Sequence, residues 1–194
     1  YPHCWRCKHP IIFRATEQWF CSIDALKDDA VKACRGITWL PGWGEERMTS
    51  MIMERSDWCI SRQRIWGVPI PIFFCKDCGK PLVNERTIQI VSQLFRERGS
   101  IAWCELDASE ILPDDIKCEC GCGSFDKETD TMDVWFDSGS SHAAVLDDGK
   151  FPYLQFPADV YLEGNDQYRG WFQSSMLTSI AIKGVAPYKT VITH

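Results

Sequence analysis

The chain has no apolar run long enough to cross a bilayer and no stretch with the pattern of a secretory signal. Those absences exclude a helical membrane protein, so a cytoplasmic protein with no membrane partner is expected. Basic residues are also scarce: 21 Lys and Arg stand against 27 Asp and Glu, a formal net charge of −6. Capturing nucleic acid by bulk electrostatics needs the opposite balance, so any RNA contact must be local. There is no internal repeat, no low-complexity segment and no gathering of Pro and Gly into a linker. A length of 194 residues then allows one ordinary domain or two small ones.

Cysteine, by contrast, is abundant. Eleven occur, and their paired spacings point to metal rather than to disulfides. Cys75-Lys-Asp-Cys78-Gly79 and Cys118-Glu-Cys120-Gly121 read as two tight turns whose glycines let backbone N–H groups face the sulfurs. Thiolates offered from two such turns suit a tetrahedral structural Zn²⁺. On spacing alone Cys122 competes with Cys118 or Cys120 for a place. Cys4-Trp-Arg-Cys7 is a third pair without a visible partner, while Cys21, Cys34, Cys59 and Cys104 read as small buried apolar side chains.

Periodicity supplies the elements. Glu85 to Arg98 places Ile88, Val91, Leu94 and Phe95 at helical spacing before Gly99. The segment 72–130 therefore reads as a metal-pinned ribbon around one helix, with too few apolar residues for a large core of its own. Ala158 to Leu162 reads as a strand, Gln167 to Ile182 as a helix stopped by Gly184, and Tyr188 to Thr193 as the next strand. Strand, helix and strand in that order predict a right-handed βαβ unit with a parallel sheet. Glu163, Asp166 and Gln167 then crown the carboxyl edge, where open α/β sheets bind ligands. Asp166 also fits a helix N-cap, and Trp171 also fits a core residue. Glu163, beside Gly164 at a strand end, suits an ammonium group.

Two further stretches carry polar groups. Asp57 is expected to cap a turn holding Ser61, Arg62, Gln63 and Arg64, with Arg62 and Arg64 free for phosphate or carboxylate; a solvated basic face fits as well. Arg47 and Arg55 sit beside the apolar face Met48, Met51 and Ile52 and suit structure or contact with a phosphate backbone. In Asp133-Val-Trp-Phe-Asp-Ser-Gly139 the alternation of Val134 and Phe136 predicts a strand, with Trp135 free to face either side.

The segment Leu162-Glu-Gly-Asn-Asp-Gln-Tyr-Arg-Gly-Trp-Phe-Gln-Ser-Ser175 resembles a signature of isoleucyl-tRNA synthetases, class I enzymes with a Rossmann-type catalytic domain. So do Tyr-Pro-His-Cys-Trp-Arg-Cys from Tyr1, Trp-Cys-Ile-Ser-Arg-Gln-Arg-Ile-Trp-Gly-Val-Pro-Ile-Pro from Trp58 and Met-Asp-Val-Trp-Phe-Asp-Ser-Gly-Ser-Ser-His from Met132. Asn165 and Tyr168 depart from the family's usual Ser and His. The resemblance implies an α/β fold: the second half of a class I parallel sheet with an inserted zinc-ribbon-like subdomain. It divides the chain into 1–71, returning from an editing insertion, 72–130, the insertion, and 131–194, the βαβ half. It also implies an interior piece, since the family's two ATP-binding signatures, His-Ile-Gly-His and Lys-Met-Ser-Lys-Ser in type, are absent; such a piece is expected to be inactive alone.

By the same resemblance the parent enzyme joins isoleucine to tRNA(Ile) using ATP and Mg²⁺. Glu163, Gly164, Asp166, Gln167 and His194 are then expected around the aminoacyl-adenylate, Trp135 and Trp171 around the isoleucine side chain, and Arg62 and Arg64 near the tRNA 3′ end. No side chain acts as nucleophile. Zinc falls to Cys75, Cys78, Cys118 and Cys120, where the family carries Cys-x-Cys-Gly, and Cys4 and Cys7 fall to half of a second site. A valyl-type synthetase and a stand-alone zinc-ribbon tRNA-binding module are the alternatives.

Overall fold

A computed structural model describes residues 1–194. In chain order, β1 (Phe20–Cys21), α1 (Asp24–Cys34), β2 (Thr38–Leu40), α2 (Gly44–Met53), β3 (Trp58–Cys59) and β4 (Ser61–Arg62) come first. Then follow β5 (Phe73–Cys75), β6 (Pro81–Leu82), α3 (Glu85–Arg98), α4 (Ala102–Glu105), α5 (Ala108–Ile111) and β7 (Phe125–Lys127). The chain closes with β8 (Thr131–Met132), α6 (Val134–Gly139), β9 (Ala158–Glu163), α7 (Trp171–Lys183) and β10 (Tyr188–Thr193), with a π-turn at His142–Leu146 and a 3-10 turn at Asn165–Arg169.

The principal sheet is parallel, with β10 central between β2 and β9. Val191 on β10 faces Trp39 on one side and Tyr161 on the other, and it is wholly buried. Between β9 and β10 runs α7, whose residues Phe172 to Ile180 are all buried, so it is a core helix exposed only in its last turn at Ala181 and Ile182. It ends where the Gly184 N–H bonds the Ile180 carbonyl. Phe172, Met176, Leu177 and Tyr188 meet there, each worth about 1.5–3 kcal/mol of burial. The Tyr188 hydroxyl stays satisfied by donating to the Phe172 carbonyl at 2.9 Å.

Sixteen buried residues make this core, drawn from Ile23 to Trp58 and from Tyr161 to Val191. The two ends of the chain thus fold around one another. Ten others, among them Phe73, Val91, Trp103 and Phe125, make a second core inside 72–130. That corrects the expectation of a segment too poor in apolar residues: Trp103 supplies the missing area, with its ring 5.0 Å from that of Phe73 and Phe95 against its edge. Here β6, β5 and β7 form an antiparallel sheet on which α3 packs through Val91. The helix starts at a capping box made by Asn84 and Thr87. The short pair β4 and β8 ties this unit to the rest, together with the Trp19 indole N–H donating to Glu128 at 2.6 Å.

Three local expectations are overturned. Val134–Gly139 is the helix α6, not a strand, because Asp133 accepts the Trp135 N–H at 3.3 Å and starts a helical turn. Residues 58–62 are β3 and β4, not a capped turn; long-range pairing with β1 and β8 overrides the local signal, and Asp57 instead accepts the Ile23 N–H. Asp166 caps no helix, since α7 begins after the 3-10 turn and its Trp171 N–H is taken by Gln167 Oε1 at 2.8 Å. No helix is long and apolar enough to cross a membrane.

Candidate functional site

The corner between β9 and α7 is built from strand register and one buried ring. Glu163 ends β9 opposite Thr193 of β10, and His194 follows directly, so all three stand at the carboxyl edge of the parallel sheet. Gly164 leads into the 3-10 turn, and a Cβ there would come 2.7 Å from Asp166 Oδ1. Tyr168 holds the turn down. It is fully buried, stacked on Trp39 at 5.9 Å, edge-on to Phe172 and covered by the Arg47 guanidinium at 5.3 Å. A Cβ on Gly44 would lie 2.3 Å from the Tyr168 hydroxyl, so the two residues are matched.

With Tyr168 inside, its neighbours face outward. Asp166 is exposed and accepts from Gln167 Nε2 at 3.1 Å, which leaves Gln167 Oε1 for the Trp171 N–H. Gly170 is crowded: a Cβ would meet Gln167 Oε1 at 2.5 Å and the Trp135 ring at 3.1 Å. Gln167 and the Trp135 ring therefore both close in on Gly170. Trp171 lies on the other side, stacked on Tyr161 at 4.0 Å and donating to the Ser138 carbonyl at 3.0 Å.

The predicted residues are thus brought together in part. Glu163, Asp166 and His194 share the exposed sheet edge, and Gln167 and the Trp135 ring both flank Gly170 beside it. Trp171 is half-buried in core packing, while Trp135 is 41% exposed and lines a cavity of about 450 Å³. Arg62 lines the same cavity but is not free: its guanidinium pairs with buried Asp133 at 3.1 Å, and Asp133 also accepts the Trp58 indole N–H at 2.8 Å. Arg64 lies in a neighbouring groove of about 710 Å³ walled by Trp66, Val68, Ile101 and Val134. Sequence reading missed Asp133, Gln173 and Arg169 in the cavity wall. A residue before a helical turn was the available signal for Asp133; nothing local marked the other two.

The four knuckle thiols converge. Sγ of Cys75 lies 3.5 Å from that of Cys120, Sγ of Cys78 lies 3.5 Å from that of Cys118, and all four lie within 4.8 Å of one another. Gly79 and Gly121 take φ of 70° and 90°, the left-handed region that closes each knuckle. The Cys78 N–H facing Cys75 helps to lower that thiol to about 6. Cys122 lies beside this group rather than in it, its sulfur meeting the Ser124 N–H at 3.3 Å. Of the single cysteines, Cys34 is buried and pushed up to about 12 by that burial, Cys21 and Cys59 are half-buried, and Cys104 is exposed, against expectation. Cys4 and Cys7 sit in a separate N-terminal turn.

A parallel α/β sheet with polar groups at its carboxyl edge defines a ligand-binding domain of the open-sheet class. The family model for class I tRNA synthetases (I, L, M and V) matches residues 6–194, and the chain belongs to that family. It is 64% identical over 194 residues to an isoleucine–tRNA ligase of Caldanaerobacter subterraneus subsp. tengcongensis, covering all of this chain and 21% of that relative. An isoleucine–tRNA ligase of Moorella thermoacetica is 59% identical over 195 residues, again with 21% of its length covered. The chain therefore spans about a fifth of the length of the curated relatives it matches. A solved LeuRS of Agrobacterium radiobacter K84, in a ternary complex with tRNA and LeuAMS, aligns with a TM-score of 0.45 at 24% identity over 72% of this chain and 20% of that one.

Proposed function

We propose that this chain carries one half of an isoleucine-activating site, the parent enzyme making isoleucyl-adenylate from isoleucine, ATP and Mg²⁺ and passing the acyl group to tRNA(Ile) in the cytoplasm. The observation that carries this is the 64% identity to an isoleucine–tRNA ligase over all 194 residues. Glu163 takes the ammonium group of the amino acid, because an exposed carboxylate at a strand end is free to accept charged N–H bonds. Gly164, Asp166, Gln167 and His194 line the same edge and orient the adenylate. Trp135 and Trp171 shape the side-chain slot. Arg62 and Arg64 approach the tRNA 3′ end, Arg64 as the freer charge. The chain supplies no nucleophile; it positions reactants and stabilises charge.

The region 72–130 is read as a zinc-ribbon-like support inserted between 1–71 and 131–194. A zinc ion held by thiolates at about 2.3 Å sets sulfurs about 3.8 Å apart, and the observed spacing of Cys75, Cys78, Cys118 and Cys120 fits. Bound there, zinc supplies structural cross-linking. Metal analysis should find one zinc per chain; none, with all four thiols freely titratable, defeats this assignment.

For the activity, isoleucine-dependent ATP–pyrophosphate exchange is measured in the enzyme of the full reading frame and in these 194 residues alone. Exchange is expected from the first and not from the second. Glu163→Gln should lower kcat/KM for isoleucine by roughly 10²-fold or more, the loss of a charge-assisted contact and of orientation. Exchange driven better by valine or leucine, or untouched by Glu163→Gln, overturns the reading.

A further inference from the structure

The 3-10 turn that presents Asp166 and Gln167 is anchored by one side chain. Of its five residues, Asn165–Arg169, only Tyr168 is buried, while Asn165, Asp166 and Arg169 are exposed. A single 3-10 turn has poor hydrogen-bond geometry of its own, so its place depends on what Tyr168 packs against. That packing comes largely from α2 and the strand before it. The Tyr168 ring lies 5.9 Å from Trp39 of β2, 5.7 Å from Trp43 and 5.5 Å from Phe172 of α7. The Arg47 guanidinium sits 5.3 Å over Tyr168 and 5.7 Å over Trp43, so one cation caps both rings.

Gly44 completes the enclosure. It opens α2 and is not among the glycines with positive φ, so no left-handed backbone calls for glycine there. Alanine would ordinarily favour the helix. What excludes a side chain is Tyr168: a Cβ on Gly44 would run into the phenol hydroxyl, with Tyr168 Cζ at 3.2 Å and Trp39 Cε3 at 3.0 Å. The hydroxyl itself is buried without a partner, so it contributes shape rather than a hydrogen bond.

We infer that Tyr168 is a positioning residue for isoleucine activation: clamped between Gly44 and Arg47, it sets where the 3-10 turn holds Asp166 and Gln167. This rests on the isoleucine-activating site proposed above. Gly44 and Arg47 belong to α2 rather than to the sheet edge, so each acts on the site through Tyr168. A Cβ on Gly44 would push the ring by about 1 Å, and misplacement on that scale costs a reaction up to roughly 10²-fold in rate.

Two measurements on the enzyme of the full reading frame test this: isoleucine-dependent ATP–pyrophosphate exchange, and amide hydrogen exchange across 165–169. Gly44→Ala should lower kcat by roughly tenfold or more while KM for isoleucine changes by less than about threefold, because Glu163 stands on β9 and not on the turn. The amides at 165–169 should exchange faster in the same variant. Gly44→Ala/Tyr168→Phe removes the colliding hydroxyl and should recover most of both losses. Gly42→Ala is the control: its Cβ would meet nothing within 4 Å, and it should match the unaltered enzyme. Should Gly44→Ala fail to fold by circular dichroism, Arg47→Met, which uncaps the ring, decides by the same two measurements. A Gly44→Ala enzyme that melts earlier yet keeps its kcat, or a double variant without recovery, overturns the proposal. Faster amide exchange at 165–169 in an enzyme that activates another amino acid better overturns the isoleucine reading and leaves the clamp standing.

Discussion

Asp133 joins more of this molecule than its position in the sequence suggests. Only 4% exposed, it accepts from the Arg62 guanidinium, from the Trp58 indole and from the Trp135 N–H in the first turn of α6, so it links β4, β3 and α6 at one carboxylate. Removing it leaves the buried Trp58 indole N–H without its acceptor, while the Arg62 guanidinium keeps the Cys59 and Ser61 carbonyls. Asp133→Ala is therefore expected to lower stability by about 1–3 kcal/mol, read from the urea midpoint. Tyr168 behaves differently because its hydroxyl is buried without a partner while its ring is packed on all sides. Tyr168→Phe should be neutral or stabilising by up to about 1 kcal/mol, whereas Tyr168→Ala should cost about 3–5 kcal/mol. A large loss in the Phe variant shows that the hydroxyl is satisfied after all.

Among the elements, α7 shows why periodicity alone reads some segments and misplaces others. Its helical body and the stop at Gly184 were legible from the spacing of Trp171, Met176, Leu177 and Ile180 and from the glycine, but the burial of Gln173, Ser174, Ser175, Thr178 and Ser179 was not; nor was its first turn, because Gln167 and Gly170 divide a 3-10 turn from the helix by a side-chain bond that no spacing records. The contact of α7 with the π-turn at His142–Leu146 carries a pH dependence. His142 is fully buried, with Nε2 3.1 Å from Thr178 Oγ1, its ring beside Phe156 and Nδ1 unpartnered. Burial and the Lys183 charge hold its pKa below the ordinary 6.5, and Asp147 only partly restores it. Below that pH the unfolded chain takes up a proton that the folded imidazole resists, so this stabilisation is complete above 6.5 and is lost as pH falls. The melting temperature of the native chain should drop more than that of His142→Asn between about pH 7 and pH 5. Equal slopes in the two proteins refute this.

At the scale of the whole molecule there are two buried cores joined by narrow contacts, one of sixteen residues and one of ten. Such units open separately when each buries its own apolar surface. Calorimetry should resolve two transitions, and a zinc chelator should lower the one belonging to 72–130 while leaving the other in place. A single transition that moves as a whole with chelator contradicts this division. The sequence by itself determined the elements with strong local signals: α3, β9, β10, the helical body of α7, the cysteine knuckles and the membership of a family. Periodicity, capping residues and spacing act over a few residues, so they are visible in one dimension. Only the tertiary structure decided that Thr38–Leu40 pairs with β10, that residues 58–62 become strand, that Arg62 is held by Asp133, and that Arg55, Arg169 and Gln173 share one hollow. Those outcomes depend on partners far along the chain, where pairing and burial outweigh the preferences of any single segment.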